Sequence, residues 1–477
     1  MVTIDERLVS QVVGEVLARL QSGVAAKSGA SNGTNFGVYE RMEDAIEAAH
    51  RSFEKLREQS ITGRKAAIKE IRRLCVEKAE EWGKIEFAET KIGREAHKIA
   101  KLGICGDLVP GVEYLQHQAF TGDSGLTIID CAPWGVIGAI TPSTHSVPTL
   151  TGNAINMIAA GNAIVYNTHP SAAKCAAIAV RAYNEAIFKV TGISDLLTTV
   201  IKPTLETFDA MTKHPLVRLL CVTGGPAVVK AAMASGKRAV CAGPGNPPVV
   251  VDETANLANA AKSIIAGASF DNNLLCCGEK QVFVVDSVAD QLIAELRKAG
   301  AVQLNAGQVE ALTTVAFKTN ATPGGCAHAV VNKDLVGKDA SVLAQQIGLQ
   351  VPADTMLLFG ETDKDHLFVE EEQMMPFLPI VRVPNVDTAI AEAIKSEHGY
   401  RHTAIMHSQN IRNLTKMAQE VDTTLFIKNG PSMSGLGLGG EGFLSFSIAT
   451  PTGEGVTTPM TFTRSRRCVM VESLNLY

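Results

Sequence analysis

Between residues 126 and 223 short apolar runs alternate with longer segments of helical period, and this alternation constrains the fold more than any single motif. "WGVIGAITP" reads as a buried strand, "PTLTGNAINMIAAG" as a helix closing at Gly161, and "NAIVYN" as the next strand. "PSAAKCAAIAVRAYNEAIFKV" reads as a helix starting at Pro170, since proline suits the first helical turn. "LLTTVI" and "VRLLCV" are further strands. Strands and helices alternating at these lengths predict a parallel, doubly wound α/β sheet. Such a sheet binds its ligand outside the carboxyl ends of its strands.

A second α/β unit opens near residue 245 with "NPPVVVDE" and the helix "TANLANAAKSIIAGASF". Two units suit a chain of 477 residues, and 46% hydrophobic against 19% charged residues supplies a large core. Ahead of them, "YERMEDAIEAAHRSFEKL" and the charged segments to about residue 100 form an α-helical lead-in. The tail from "GGEGFLSF" onward is rich in Thr, Ser, Gly and Val and suits strands, as in an oligomerisation arm. Residues 1–20 stand apart. Ile4, Leu8, Val9, Val12, Val13, Val16 and Leu20 make one apolar helical stripe, and residues 21–36 read as a flexible linker. A helix that short needs a partner surface, on its own body, its own oligomer or another protein.

The net charge of −5 and the lack of a basic run argue against nucleic acid as a partner. No apolar run near 18 residues predicts a membrane span, and no secretory signal is evident at the N-terminus. The ten cysteines read as reduced thiols, without the spacing of a zinc site.

Three stretches invite a chemical reading. "GLGLGG" fits G-x-G-x-x-G at Gly435, Gly437 and Gly440, but no helical period follows it, so it reads as a glycine-rich loop. "VRLLCVTGGPAVVKAAMASG" runs a strand into Thr223, Gly224 and Gly225, and Pro226 opens a helix. That is either an anion-binding helix N-terminus or an ordinary strand-to-helix turn. In "SFDNNLLCCGEKQVFVV", Cys276 and Cys277 sit between a polar turn and a buried strand. Adjacent cysteines strain a disulfide, so one at most is special and the other packs.

"FDNNLLC-x-x-EK", "ITPST", "AINMIAAGNAIVYNTHP", "VTGGPAVVKAAM", "GPGNPPVVVDE" and "NGPSMSGLGLGGEGFLSFSIATPTGEG" together resemble the CoA-acylating aldehyde dehydrogenases, and more narrowly those of bacterial microcompartments. The likeness runs from about residue 37 to the C-terminus. It implies two doubly wound α/β domains plus a small β oligomerisation arm. The cofactor-binding domain would span 37–240, with part of the arm near 115–133. The catalytic domain would span 241–448 and the C-terminal arm 449–477. It also implies a homo-oligomer, dimer or tetramer, in the cytoplasm inside a microcompartment. The N-terminal helix is similar to the encapsulation tails that bind shell proteins.

The resemblance assigns the nucleophile to Cys276, three residues before Glu279-Lys280. The implied reaction converts a short-chain aldehyde such as acetaldehyde or propionaldehyde, NAD and CoA to acyl-CoA and NADH. Cys276 would add to the carbonyl, and the Thr144 side chain with the Cys276 N–H would hold the oxyanion. Thr141, Pro142, Ser143, His169, Pro170, Thr223, Gly224 and Gly225 would bind NAD. Glu372 would hold the nicotinamide ribose, or else belong to a solvated acidic run. CoA would enter the same cleft after NADH leaves. Hydrolytic relatives keep a glutamate that activates water where this chain has Ala242, and "AVCAGPGNPPVVV" holds no acidic residue. The family's T-P-S-T-N-P becomes "TPSTHSVP", with His145 either titrating near neutral pH or serving as a hydrogen-bonding support. Two other functions stay open, a hydrolytic enzyme releasing free acid and an inactive microcompartment scaffold.

Overall fold

The computed structural model describes residues 35–320 and 328–475. The amphipathic segment 1–20 and nearly all of its linker lie outside the described residues. The helical lead-in forms as Met42–Glu77, Ala79–Thr90 and Glu95–Leu108. The first bends where Ser60 leaves the helical region at φ 55°.

The predicted alternation builds a six-stranded sheet. Its strands lie in the order 38–39, 197–200, 163–168, 136–141, 217–223 and 238–242, and every pairing is parallel. Each residue of "VIGAIT" and "AIVYNT" is buried, because helices cover both faces and leave no side for alternating polar residues. From Val136–Thr141 the chain winds one way through 163–168 and 197–200, then the other way through 217–223 and 238–242. The winding therefore reverses between Thr141 and Thr223, and the crevice there is the expected ligand site.

Helix Ser146–Ala159 ends as expected before Gly161, which takes φ 88°. The next helix differs slightly. Pro170–Ala172 forms a 3₁₀ turn capped by the His169 side chain, and the α-helix runs from Ala173 to Thr191. A second parallel sheet of seven strands follows, in the order 302–304, 358–361, 377–383, 281–285, 248–251, 403–407 and 425–428. Residues 118–122, 125–133 and 463–471 form a separate antiparallel sheet. The segment after "GLGLGG" forms no helix, in line with its rejection as a dinucleotide loop.

Candidate active site

A cavity of about 700 Å³ opens at the reversal of the six-stranded sheet. Thr141, Pro142, Ser143 and Thr144 line it from one strand end, His169 and Pro170 from the next, and Thr223, Gly224 and Gly225 from the third. Cys276 and Glu372 come in from the segments flanking the seven-stranded sheet. All eleven predicted residues thus face one space, although they lie up to 231 positions apart (Thr141 to Glu372).

The wall suits a ligand with polar groups of its own. The Thr141 and Thr168 hydroxyls are buried without a protein partner. Gly225 has an ordinary φ of −69°, and a Cβ added there would meet no protein atom within 4 Å. Neither backbone nor packing asks for glycine, so the room it leaves belongs to the cavity. Gly225 also caps helix Pro226–Met233 without a side-chain bond, which leaves N–H groups for an anion. Thr223 is less available, because its hydroxyl shares a 2.7 Å hydrogen bond with Ser447.

The nucleophile loop follows helix Leu257–Ser269 as a tight polar turn. Asp271, Asn272 and Asn273 take φ values of 51°, 56° and 64°, three left-handed residues in succession. Asp and Asn tolerate that region best, yet each such residue costs roughly 1 kcal/mol or more. Side-chain bonds hold them there. Asp271 accepts from the Arg94 N–H at 2.9 Å, Asn272 donates to the Gly337 carbonyl at 2.9 Å, and Asn273 donates to the Glu279 carbonyl at 2.8 Å. Lys280 donates to the carbonyls of Asn273 and Leu275 and to the Asn273 side chain. The turn delivers Cys276 to the cavity and Cys277 to the core, where it is 1% exposed. All nine described cysteines are free.

Burial pushes the Cys276 thiol up to about 12, and the Glu372 carboxylate adds to the shift. Lys280 and the N–H groups of Cys276 and Cys277 pull it back in part. The resting group is therefore the thiol, not the thiolate. Burial also raises Glu372 to about 7, against the pull of Lys280 and of the Gly245 N–H that bonds it. Glu372 is partly exposed, like its acidic neighbours, and lines the cavity. Ala242 lines the cavity as expected, but the cavity is not free of acid, because Glu372 arrives from elsewhere in the chain.

His145 does not titrate near neutral pH. Burial, reinforced by Lys101 and Lys98, holds its imidazole well below the usual value, and it stays neutral against Phe446 at 5.5 Å. Its Nδ1 has no protein partner.

Behind the nucleophile loop, outside the cavity lining, lies His402, which sequence reasoning did not single out. Gly245 separates its ring from the nucleophile backbone: an added Cβ would lie 2.6 Å from the Cys276 carbonyl oxygen and 2.9 Å from the ring. Only glycine fits there. Burial drives His402 down to about 3, and its Nε2 is unpartnered. Nothing in "EHGYRHTA" distinguishes it from any other histidine.

The aldehyde dehydrogenase family model matches residues 34–441, and the chain belongs to that family. It is 46% identical to the acetylating acetaldehyde dehydrogenase EutE of Salmonella typhimurium, over 99% of this chain and all of that one. The structure of a Rhodopseudomonas palustris propionaldehyde dehydrogenase with bound CoA and an acylated cysteine superposes with a TM-score of 0.89. That pair is 45% identical over 93% of this chain and all of the other. A propionaldehyde dehydrogenase from the fucose utilisation bacterial microcompartment of Clostridium phytofermentans gives the same TM-score at 42% identity, over 92% of this chain and all of that one.

Proposed function

We propose that this chain is a CoA-acylating, NAD-dependent aldehyde dehydrogenase acting on short-chain aldehydes such as propionaldehyde and acetaldehyde. The observation that carries this is Cys276, presented by a tightly bonded turn to a cleft that also gathers three strand ends of the six-stranded sheet. Support comes from the CoA and acylated cysteine in a relative matching 93% of the chain.

Cys276 attacks the aldehyde carbonyl and gives its proton to Glu372, whose affinity for protons near neutral pH suits the transfer. Thr144 and the Cys276 N–H donate to the oxyanion that forms. NAD bound at the strand ends would supply the hydride acceptor; Thr141, Pro142, Ser143, His169, Pro170, Gly224 and Gly225 would hold it, and Glu372 would orient its ribose. Collapse of the oxyanion releases hydride from the carbon and leaves a thioester on Cys276. The CoA thiol loses its proton to solvent and takes the acyl group by thioester exchange, and Cys276 leaves as a thiolate that recovers the proton held by Glu372.

Residues 37–240 serve nucleotide binding and 241–448 the nucleophile, with 115–133 and 449–477 as the assembly arm. Residues 1–20 dock on microcompartment shell proteins in the cytoplasm. The described residues include no helix long and apolar enough to cross a membrane.

The deciding experiment follows NADH formation by purified protein from propionaldehyde and acetaldehyde, with and without CoA. Turnover should need CoA, and mass spectrometry should find the acyl group on Cys276. Free acid released without CoA at a matching rate would establish the hydrolytic reaction, and no turnover the inactive scaffold.

A further inference from the structure

Four charged side chains lie buried behind the cavity. Lys98 and Lys101, one helical turn apart on Glu95–Leu108, are 0% exposed, as are Glu86 and Asp271. Lys101 Nζ lies 2.5 Å from Asp271 Oδ2, and Lys98 Nζ lies 3.3 Å from the same oxygen. Both ammoniums also donate to the Thr144 carbonyl, Lys101 at 3.3 Å. Glu86 sits 3.5 Å from Lys98 and accepts the N–H groups of Ser146 and Val147, the first of the following helix.

The cluster thus joins two walls of the site distant in sequence. One is the loop that carries Thr144; the other is the left-handed turn that sets Cys276. As a stabilising device it is poor, because a well-packed apolar replacement of buried ion pairs is often as stable. What it supplies is fixed geometry, with two ammoniums gripping the peptide oxygen of Thr144, a residue that lines the same cavity as Cys276.

We propose that Lys98, Lys101 and Asp271 are positioning residues for acyl transfer, clamping Thr144 at the distance from Cys276 where its hydroxyl meets the oxyanion. This rests on the reading of Cys276 as nucleophile and Thr144 as donor.

The test compares Lys101→Met, Thr144→Ala, and the two combined. Because Lys101→Met leaves a buried carboxylate short of a partner, Lys101→Met/Asp271→Asn, which keeps the charges balanced, is measured alongside. NAD binding by fluorescence quenching and thermal melting report the fold. The expected result is a kcat lower by about 10- to 100-fold in both Lys101 variants, the scale of a misplaced catalytic group, with aldehyde KM within about threefold. In the Thr144→Ala background Lys101→Met should cost less than about threefold more, since the two act as a unit. A folded Lys101 variant with wild-type kcat overturns the proposal, as does a loss that multiplies in full with that of Thr144→Ala. If Thr144→Ala itself keeps full kcat, the oxyanion assignment beneath fails instead, and the clamp has nothing to position.

Discussion

At the scale of single residues, the chemistry turns on which groups hold protons. Cys276→Ser should lower NADH formation by at least about 10³-fold, because a hydroxyl is a far weaker nucleophile in the same seat. Cys277→Ser should stay within a few-fold of wild type, as its thiol faces the core; comparable losses in both would undo the assignment. Thr144→Ala should cost roughly 10²- to 10³-fold in kcat, the usual loss for one oxyanion donor. The pH profile offers a separate check. Glu372 sits at about 7, so it is protonated below neutral pH and a carboxylate above it. As proton acceptor it should make kcat/KM rise with pH through about 7, and Glu372→Gln should abolish that limb. Glu279, also raised to about 7 by burial, is the competing source, and a limb that survives Glu372→Gln belongs to it.

At the scale of elements, the sequence spoke most clearly where apolar period alone decides. The buried strands Val136–Thr141 and Ala163–Thr168 stand where their composition put them. The reversal of winding follows from such units and locates the cleft before any side chain is considered. The helix Glu95–Leu108 was opaque. Its lysines fall in or just past a segment that reads only as a charged helical lead-in, yet Lys98 and Lys101 are buried, with Asp271 as a partner some 170 positions on. Glu372 was ambiguous for a similar reason, since its acidic neighbours are visible in sequence and the cavity it faces is not. Asp271 leaves a measurable trace. Burial alone would raise its carboxyl, but Lys101 and Lys98 outweigh it and hold the group at about 2. Its native value lies below that of an unfolded chain, so its contribution is complete above about pH 4 and is lost as pH falls toward 2. That contribution is about 2 kcal/mol, and Asp271→Asn should flatten this part of an acid unfolding curve.

At the scale of the whole molecule, strand Thr463–Val471 pairs on one side with Gly125–Pro133 and exposes Val469 and Val471. This nine-residue edge suits the proposed assembly arm. Light scattering should report a dimer or tetramer, and Val469→Lys with Val471→Lys should shift it toward monomer; a wild-type monomer would remove the arm's role. Removing residues 1–20 should leave turnover within about twofold, since every proposed catalytic and cofactor-binding residue lies beyond position 140, and should release the enzyme from shells. Full co-localisation of the truncated protein would end the targeting proposal. The cleft at the sheet reversal has one last consequence. On the proposed reading CoA enters the cleft that NADH has left, so the oxidant and the thiol donor must take turns. Excess CoA should therefore slow the enzyme by keeping NAD waiting outside, and raising NAD should relieve the brake. At CoA levels below that inhibition, double-reciprocal initial-rate plots against one nucleotide, at several levels of the other, should run parallel.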